Sequence, residues 1–209
     1  MPPKPLTKPR KRASQDRSRA TVDALIEATA RILVKDGFDK ASTNRIAEKA
    51  GVSVGSLYQY FPSKEALVAA VMVRHRAELM QVVRETVSEF AALPVEEAVP
   101  QFIRAAIKAH RVDPKLHCVL AEQTPRTGRL ENAEVFNTEA YSIFFAYLEA
   151  HRDEIRAVDL QLATFVCMTS IEALTHTAVL HYTDRLSDEA FDALVDEASR
   201  LIVRYLSPL

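Results

Sequence analysis

The chain has 209 residues, 48% of them hydrophobic and 26% charged, the balance of an ordinary soluble globular protein long enough to bury a core. Two cysteines with no CxxC spacing argue against a disulfide framework or a zinc ribbon and fit free thiols in a reducing cytoplasm. No apolar run follows the basic N-terminus as in a secretory signal, and no stretch is read as approaching the roughly 18 apolar residues of a membrane span.

The net charge of −1 hides an asymmetry. Residues 1–64 hold 13 Lys and Arg against 6 Asp and Glu, a net of +7, and residues 65–209 carry a net of −8. A basic head on an acidic body points to a polyanion partner. The first 16 residues hold four of the ten prolines and five Lys or Arg, with almost nothing to bury, and are expected to form a disordered basic arm. A helix follows from residue 17, with Val22, Leu25, Ile26, Thr29, Ala30 and Leu33 on one face. Gly37 is expected to end it.

The next stretch, "STNRIAEKAGVSVGSLYQYFPSKEAL", carries two of the four glycines. Thr43 is expected to cap a short helix, "NRIAEKA", that Gly51 ends. Ser53 caps a second, "VGSLYQY", which stops at Pro62, and Ser63 caps a long third helix. Two short helices joined by a glycine-containing turn make a helix-turn-helix. Ala47 is small where the helices cross, and Leu57 points to the core with Ile46 and Val54 or Phe61. Gly55 offers no side chain, so a backbone or base edge has room to approach. Ser56, Tyr58 and Gln59 share the outward surface and suit base edges and thymine methyls. Tyr60 and Lys64 flank it and suit phosphates, as do the helix starts at Thr43 and Ser53.

A helix from about Lys64 to Phe90 carries Leu67, Val71, Met72, His75, Leu79, Val82, Val83, Thr86 and Phe90 along one stripe. At 1.5 Å per residue it spans about 40 Å. Leu93-Pro94 breaks it, and Pro100 starts or kinks the next helix. Asp113-Pro114 and Thr124-Pro125 are each expected to start a helix. Others are expected at about 131–151, 158–182 and 188–206, the last capped at Ser187. No segment alternates like a strand, so the fold class is all-α with about nine helices.

The segment "TNRIAEKAGVSVGSLYQYFPSKEAL", preceded by "KDGFDKAS", resembles the TetR family of transcriptional regulators. The resemblance covers residues 18–67 closely and the remainder in architecture only. It implies a helix-turn-helix DNA-binding domain at 17–63 and a C-terminal ligand-binding and dimerisation domain at 64–209. It implies phosphate contacts from Thr43, Ser53, Tyr60 and Lys64, and base contacts from Asn44, Val54, Gly55, Ser56, Tyr58 and Gln59. It further implies a homodimer on a near-palindromic double-stranded DNA operator, released by a small-molecule effector. The long Pro-Lys-Arg arm departs from the commonest members. Its Lys8, Arg10, Lys11, Arg12 and Arg17 either reach the DNA or belong to a solubilising tail.

Two helix faces are candidates for the dimer surface: Leu162, Phe165, Val166, Thr169, Ala173, Leu174, Thr177 and Ala178, and Phe191, Leu194, Val195, Ala198, Leu201, Ile202 and Tyr205. The bland alternative is that they are core. Phe102, Phe136, Tyr141, Phe144, Phe145, Phe165 and Met168 are candidate linings of an apolar effector pocket, with His110, Glu122, Glu172 and His176 as polar anchors. Aromatics at helical spacing are also what a core needs. Glu172 lies in an otherwise apolar helix and suggests a cationic or amine-bearing effector. His117, Cys118 and Glu122 hint at a thiol or metal site, but no third ligand has diagnostic spacing. No cofactor, metal or enzymatic activity is expected. The expectation is a cytoplasmic, ligand-responsive repressor with no membrane partner. The alternatives are an activator of the same fold, or a helical ligand-binding or enzymatic protein that has lost DNA binding.

Overall fold

Helix α1, Asp16–Lys40, buries the face its periodicity marks: Leu25, Thr29 and Leu33 are inaccessible, and Ile26 and Ala30 nearly so. These are residues of a computed structural model that describes 16–127, 131–156, 158–182 and 187–208. The proposed arm at 1–16 lies outside the described residues but for Asp16. At Gly37 the backbone leaves the helical path (φ 76°, ψ 173°), a conformation open to glycine and costly to other residues. Arg45 closes the turn beyond it, its guanidinium bonding the Asp36 carboxylate at 2.6 Å and the Lys40 carbonyl at 2.8 Å.

Helices α2, Thr43–Ala50, and α3, Val54–Tyr60, follow. The cap of α2 is Ser42, not Thr43: the Ser42 hydroxyl accepts from the Arg45 N–H, and Thr43 is already helical. Gly51 ends α2 in the left-handed region (φ 69°, ψ 29°), where its N–H meets the carbonyls of Ala47 and Glu48. Nothing lies within 4 Å of where its Cβ would sit, so backbone conformation alone calls for glycine here. Ser53 caps α3 by accepting from the Ser56 N–H at 3.1 Å, and Ser63 caps α4 by accepting from the Ala66 N–H at 3.1 Å.

The chain divides into two compact units, Met1–Arg76 with Lys115–Asn132, and Ala77–Pro114 with Ala133–Leu209. The head therefore extends past the expected boundary at 63–64 into α4, Lys64–Phe90. It also takes in α6, Pro114–Thr127, whose Leu116 and Leu120 join the core of Leu25, Leu33, Ile46, Leu57, Phe61 and Leu67. Local sequence pattern carries no sign of that return. Asp113-Pro114 does start α6, but Thr124-Pro125 starts nothing, because α6 runs through it to Thr127. A proline in the last turn looks, in sequence, like a proline in a first one.

The second unit comprises α5 (Val95–His110), α7 (Glu131–Ala150), α8 (Leu160–Tyr182) and α9 (Asp188–Leu206), with the distal part of α4 and a 3₁₀ turn at Arg152–Glu154. Pro100 sits inside α5 rather than at its start. No side chain of its own N-terminus caps α5; the Glu154 carboxylate accepts from the Val95 N–H at 2.8 Å instead. Phe102 makes edge-on contacts with Phe90, Phe144 and Tyr147. The Tyr147 hydroxyl donates to the Leu93 carbonyl at 2.8 Å, and burial raises its pKa.

Leu160–Leu180 of α8, with a mean hydropathy of 1.3, has the length and composition to cross a membrane, contrary to the expectation that no stretch approaches this. Its inward residues, Ala163, Cys167, Ile171 and Val179, belong to the core of the second unit, and 39% of the apolar stretch is buried there. Burial pushes the Cys167 thiol up to about 12. Being raised in the fold, that thiol keeps its proton as pH climbs past 9, where the unfolded chain loses it, so its contribution to stability falls from there upward. Iodoacetamide at neutral pH should label the partly exposed Cys118 and spare the buried Cys167 until denaturant is added. Peptide mass mapping of native and unfolded protein checks this; equal labelling of both in the native state would contradict the burial.

Candidate functional site

The head presents one surface made by α2 and α3. Ile46, Ala47 and Leu57 turn inward and are essentially inaccessible, which leaves Asn44, Ser53, Gly55, Tyr58 and Gln59 exposed and Thr43, Val54 and Ser56 half-buried. A Cβ at Gly55 would meet only the Ser53 hydroxyl, at 3.9 Å, so the fold itself makes no demand for glycine there. Tyr58 is 42% exposed and leans back to α2, its hydroxyl 3.1 Å from Thr43 Oγ1. That bond links a residue expected at phosphates to one expected at bases and ties α2 to α3 at the surface. Ser53 and Ser56 hydroxyls lie 2.9 Å apart, so the capping serine is committed within the protein.

Two expected phosphate contacts sit differently from the outward flank foreseen for them. Tyr60 is 9% exposed and packs with Leu57 and Phe61, because it lies three residues beyond Leu57 on the same stripe. Lys64 is half-buried: its ammonium donates to the Phe38 carbonyl at 3.0 Å and lies 3.9 Å from the centre of the Phe38 ring. Phe38 and Arg45 are structural neighbours of this surface that sequence reasoning did not single out. An aromatic directly after the helix-ending Gly37 was the available signal for the first.

Lys64→Ala should therefore act twice. Losing a charged hydrogen bond and a cation–π contact, both partly solvated, should cost about 1–2 kcal/mol of stability. If the free side of the ammonium also serves a phosphate, the slope of log affinity against log salt should drop by about one. Urea denaturation and a salt titration of DNA binding separate the two; a stability loss with an unchanged slope assigns Lys64 to the fold alone.

The second unit holds a narrow cavity of ≈ 60 Å³ among α4, α5, α7 and α8. Of the expected pocket residues, Phe102, His110, Met168 and Glu172 line it, together with Leu79, Met80, Val83, Ala105, Ala106, Ala109, Ala140, Ile143 and Ile171. His110 is buried, its Nε2 3.3 Å from a Glu172 carboxylate oxygen, and the His176 ring packs edge-on against it at 5.4 Å. Others are placed elsewhere. Phe165 points to solvent, 59% exposed; Phe144 is core; Phe145 packs against the core without reaching the cavity. The Tyr141 hydroxyl donates to the Gln161 carbonyl at 2.6 Å and the side chain does not line the cavity. The side chains of Glu122, Phe136 and Arg17 lie outside the described residues, as do Arg10, Lys11 and Arg12. A larger open groove, ≈ 660 Å³, runs between α5 and α9, but its Arg104 and Arg111 are paired with Asp192 and Asp188. Among the described residues no group of three His, Cys, Asp or Glu is placed to hold a metal ion.

Residues 25–71 match the model of bacterial regulatory proteins of the tetR family, and residues 94–206, more than half the chain, match that of the tetracyclin repressor-like C-terminal domain. The chain belongs to the TetR family of transcriptional regulators. It is 38% identical over 85 residues to the HTH-type transcriptional activator FasR of Mycolicibacterium smegmatis, an alignment covering 41% of this chain and 36% of that one. It is 40% identical over 50 residues to the HTH-type transcriptional repressor KstR of the same organism, covering 24% of each. Its match thus spans about a third or less of the length of these curated relatives. A TetR-family regulator from Mesorhizobium loti has the same fold, with a TM-score of 0.73 at 18% identity over 92% of this chain and all of that one. In this TetR-family chain the helix-turn-helix stands where the family model for the N-terminal region matches.

Proposed function

We propose that this TetR-family chain is a cytoplasmic, non-enzymatic repressor that binds a near-palindromic DNA operator as a homodimer and is released by a small-molecule effector. The observation that carries the reading is the α2–α3 surface. Its apolar side is sealed in the head core while Asn44, Gly55, Tyr58 and Gln59 face outward, a polar set able to read base edges in the major groove. The excess of 13 basic over 6 acidic residues in the first 64 supports attraction to phosphates.

Dimerisation is supported by an apolar face that the second unit leaves uncovered. Leu162, Phe165 and Leu174 of α8 are 55, 59 and 36% exposed, and Leu201 of α9 is 55% exposed. Of the face expected on α9, Phe191, Val195, Ala198 and Ile202 are instead monomer core and Leu194 and Tyr205 pack partly buried against it, so Leu201 is the residue left exposed for a partner. A two-fold dimer would set two recognition helices about one DNA turn, roughly 34–36 Å, apart. Effector binding in the second unit acts through α4, which reaches from Lys64 to Phe90 without interruption, and it releases DNA only if the effector prefers one of two arrangements.

Activation is the second reading, supported by the similarity of part of this chain to an activator as well as to a repressor. Selection of bound fragments from the source genome at near-physiological salt tests the proposal. Recovery of an inverted repeat supports it, and transcription from the adjacent promoter with and without the protein decides its sign. No enrichment by a folded dimer would remove the operator reading.

A further inference from the structure

We propose that the effector is a compact apolar molecule bearing one cationic nitrogen, held by Glu172 at the polar end of the α4–α5–α7–α8 cavity. This rests on the reading of that cavity as the effector site. The walls are built from aliphatic side chains, one aromatic ring and small residues, and no Lys or Arg lines them among the described residues. Among the described residues Glu172 is the single formally charged side chain facing the space. An acid would bring its carboxylate up to a second carboxylate with no arginine or lysine between them, whereas an ammonium meets its opposite charge directly.

The position of His110 makes this end a built site rather than an incidental charge. Its side chain is 4% exposed, its Nε2 lies 3.3 Å from the Glu172 carboxylate, and the His176 ring braces it from α8. The carboxylate itself is half exposed and already turned inward to meet the imidazole. An incoming ammonium pairs with that oxygen in competition with the imidazole, so the ligand comes to stand between Glu172 and His110. Binding therefore exchanges a direct α5–α8 link for one that runs through the ligand, which gives the ligand a grip on helix placement. Size follows from the walls. The space is small, but Ala105, Ala106, Ala109 and Ala140 keep it open, and Met80 and Met168 are flexible enough to yield to a ring.

A matched series of phenylethylamine, phenylethanol and phenylacetic acid tests the assignment by isothermal titration calorimetry on the full chain at neutral pH. The amine should bind roughly tenfold or more tighter than the acid, with the alcohol between. Glu172→Gln, a change at a half-exposed side chain, should bring amine and acid to within about threefold of one another. Ala106→Leu should fill the cavity and weaken all three while circular dichroism stays that of the native fold. An acid that binds tightest, an amine preference untouched by Glu172→Gln, or no binding by any of the three would overturn the proposal. Operator affinity measured in parallel keeps the two readings apart. Amine binding with operator affinity unchanged leaves the ligand class standing and removes the effector role. Release of DNA by the acid alone does the reverse.

Discussion

Leu57→Ala should cost the head about 2–5 kcal/mol and abolish specific DNA binding. Leu57 is completely inaccessible and sits where α3 meets the core made by α1, α2, α4 and α6. Its removal leaves a cavity that neighbours such as Ile46, Phe61 and Leu67, all similarly buried, have no freedom to fill. A loss of that size is a large share of the 5–15 kcal/mol by which domains of this kind are stable. Helix α3 has seven residues and does not hold its shape without that contact, since isolated helices this short are not stable in water. Thermal unfolding and a DNA-binding titration check both parts. A variant that melts like the parent would show that α3 is held by its Ser53 cap and not by the core.

The second large effect is expected far from the DNA surface. If the chain is the proposed operator-binding dimer, Phe165→Asp, made together with Leu201→Asp, should convert it to a monomer and lower operator affinity by about 10²–10⁴-fold, the gain that linking two binding modules provides. Both side chains are more than half exposed, so the chain's own fold should lose no more than about 0.5 kcal/mol for each. Sedimentation velocity reports the assembly and a fluorescence titration the affinity. A double variant that stays dimeric would place the partner surface on another face of the second unit.

Much of this was written locally in the sequence. The bounds of α9 follow from the Ser187 cap and the acids behind it, and the turn at Gly51 follows from the one residue type that takes that conformation cheaply. What local pattern did not carry falls into two kinds. Where a helix is apolar on both sides, periodicity cannot say which side is core: on α8, Phe165 faces solvent and Cys167 the interior, and both read as apolar. Where a contact joins distant segments, no local signal exists. The return of α6 to the head, the Glu154 carboxylate that caps α5, and the Phe38 carbonyl under Lys64 are of this kind. Tyr60 is the exception, since its spacing of three from Leu57 was visible and its buried ring follows from it. The polar end of the cavity was half legible: Glu172 stood out as an acid in an apolar helix, but its pairing with His110 depends on α5 and α8 packing together.

Gly55 has a different kind of consequence. It sits in the first turn of α3, two residues after the Ser53 cap, and a Cβ there would meet only the Ser53 hydroxyl, at 3.9 Å. The fold therefore leaves room for a side chain at a position that, on the proposed reading, faces the operator. On that reading, substitution there is restrained by the DNA and not by the fold. Over many generations such a position lets two copies of one gene drift to different target sequences while both proteins remain equally well folded, so the divergence of regulatory circuits from a duplicated regulator has a natural starting point at residue 55.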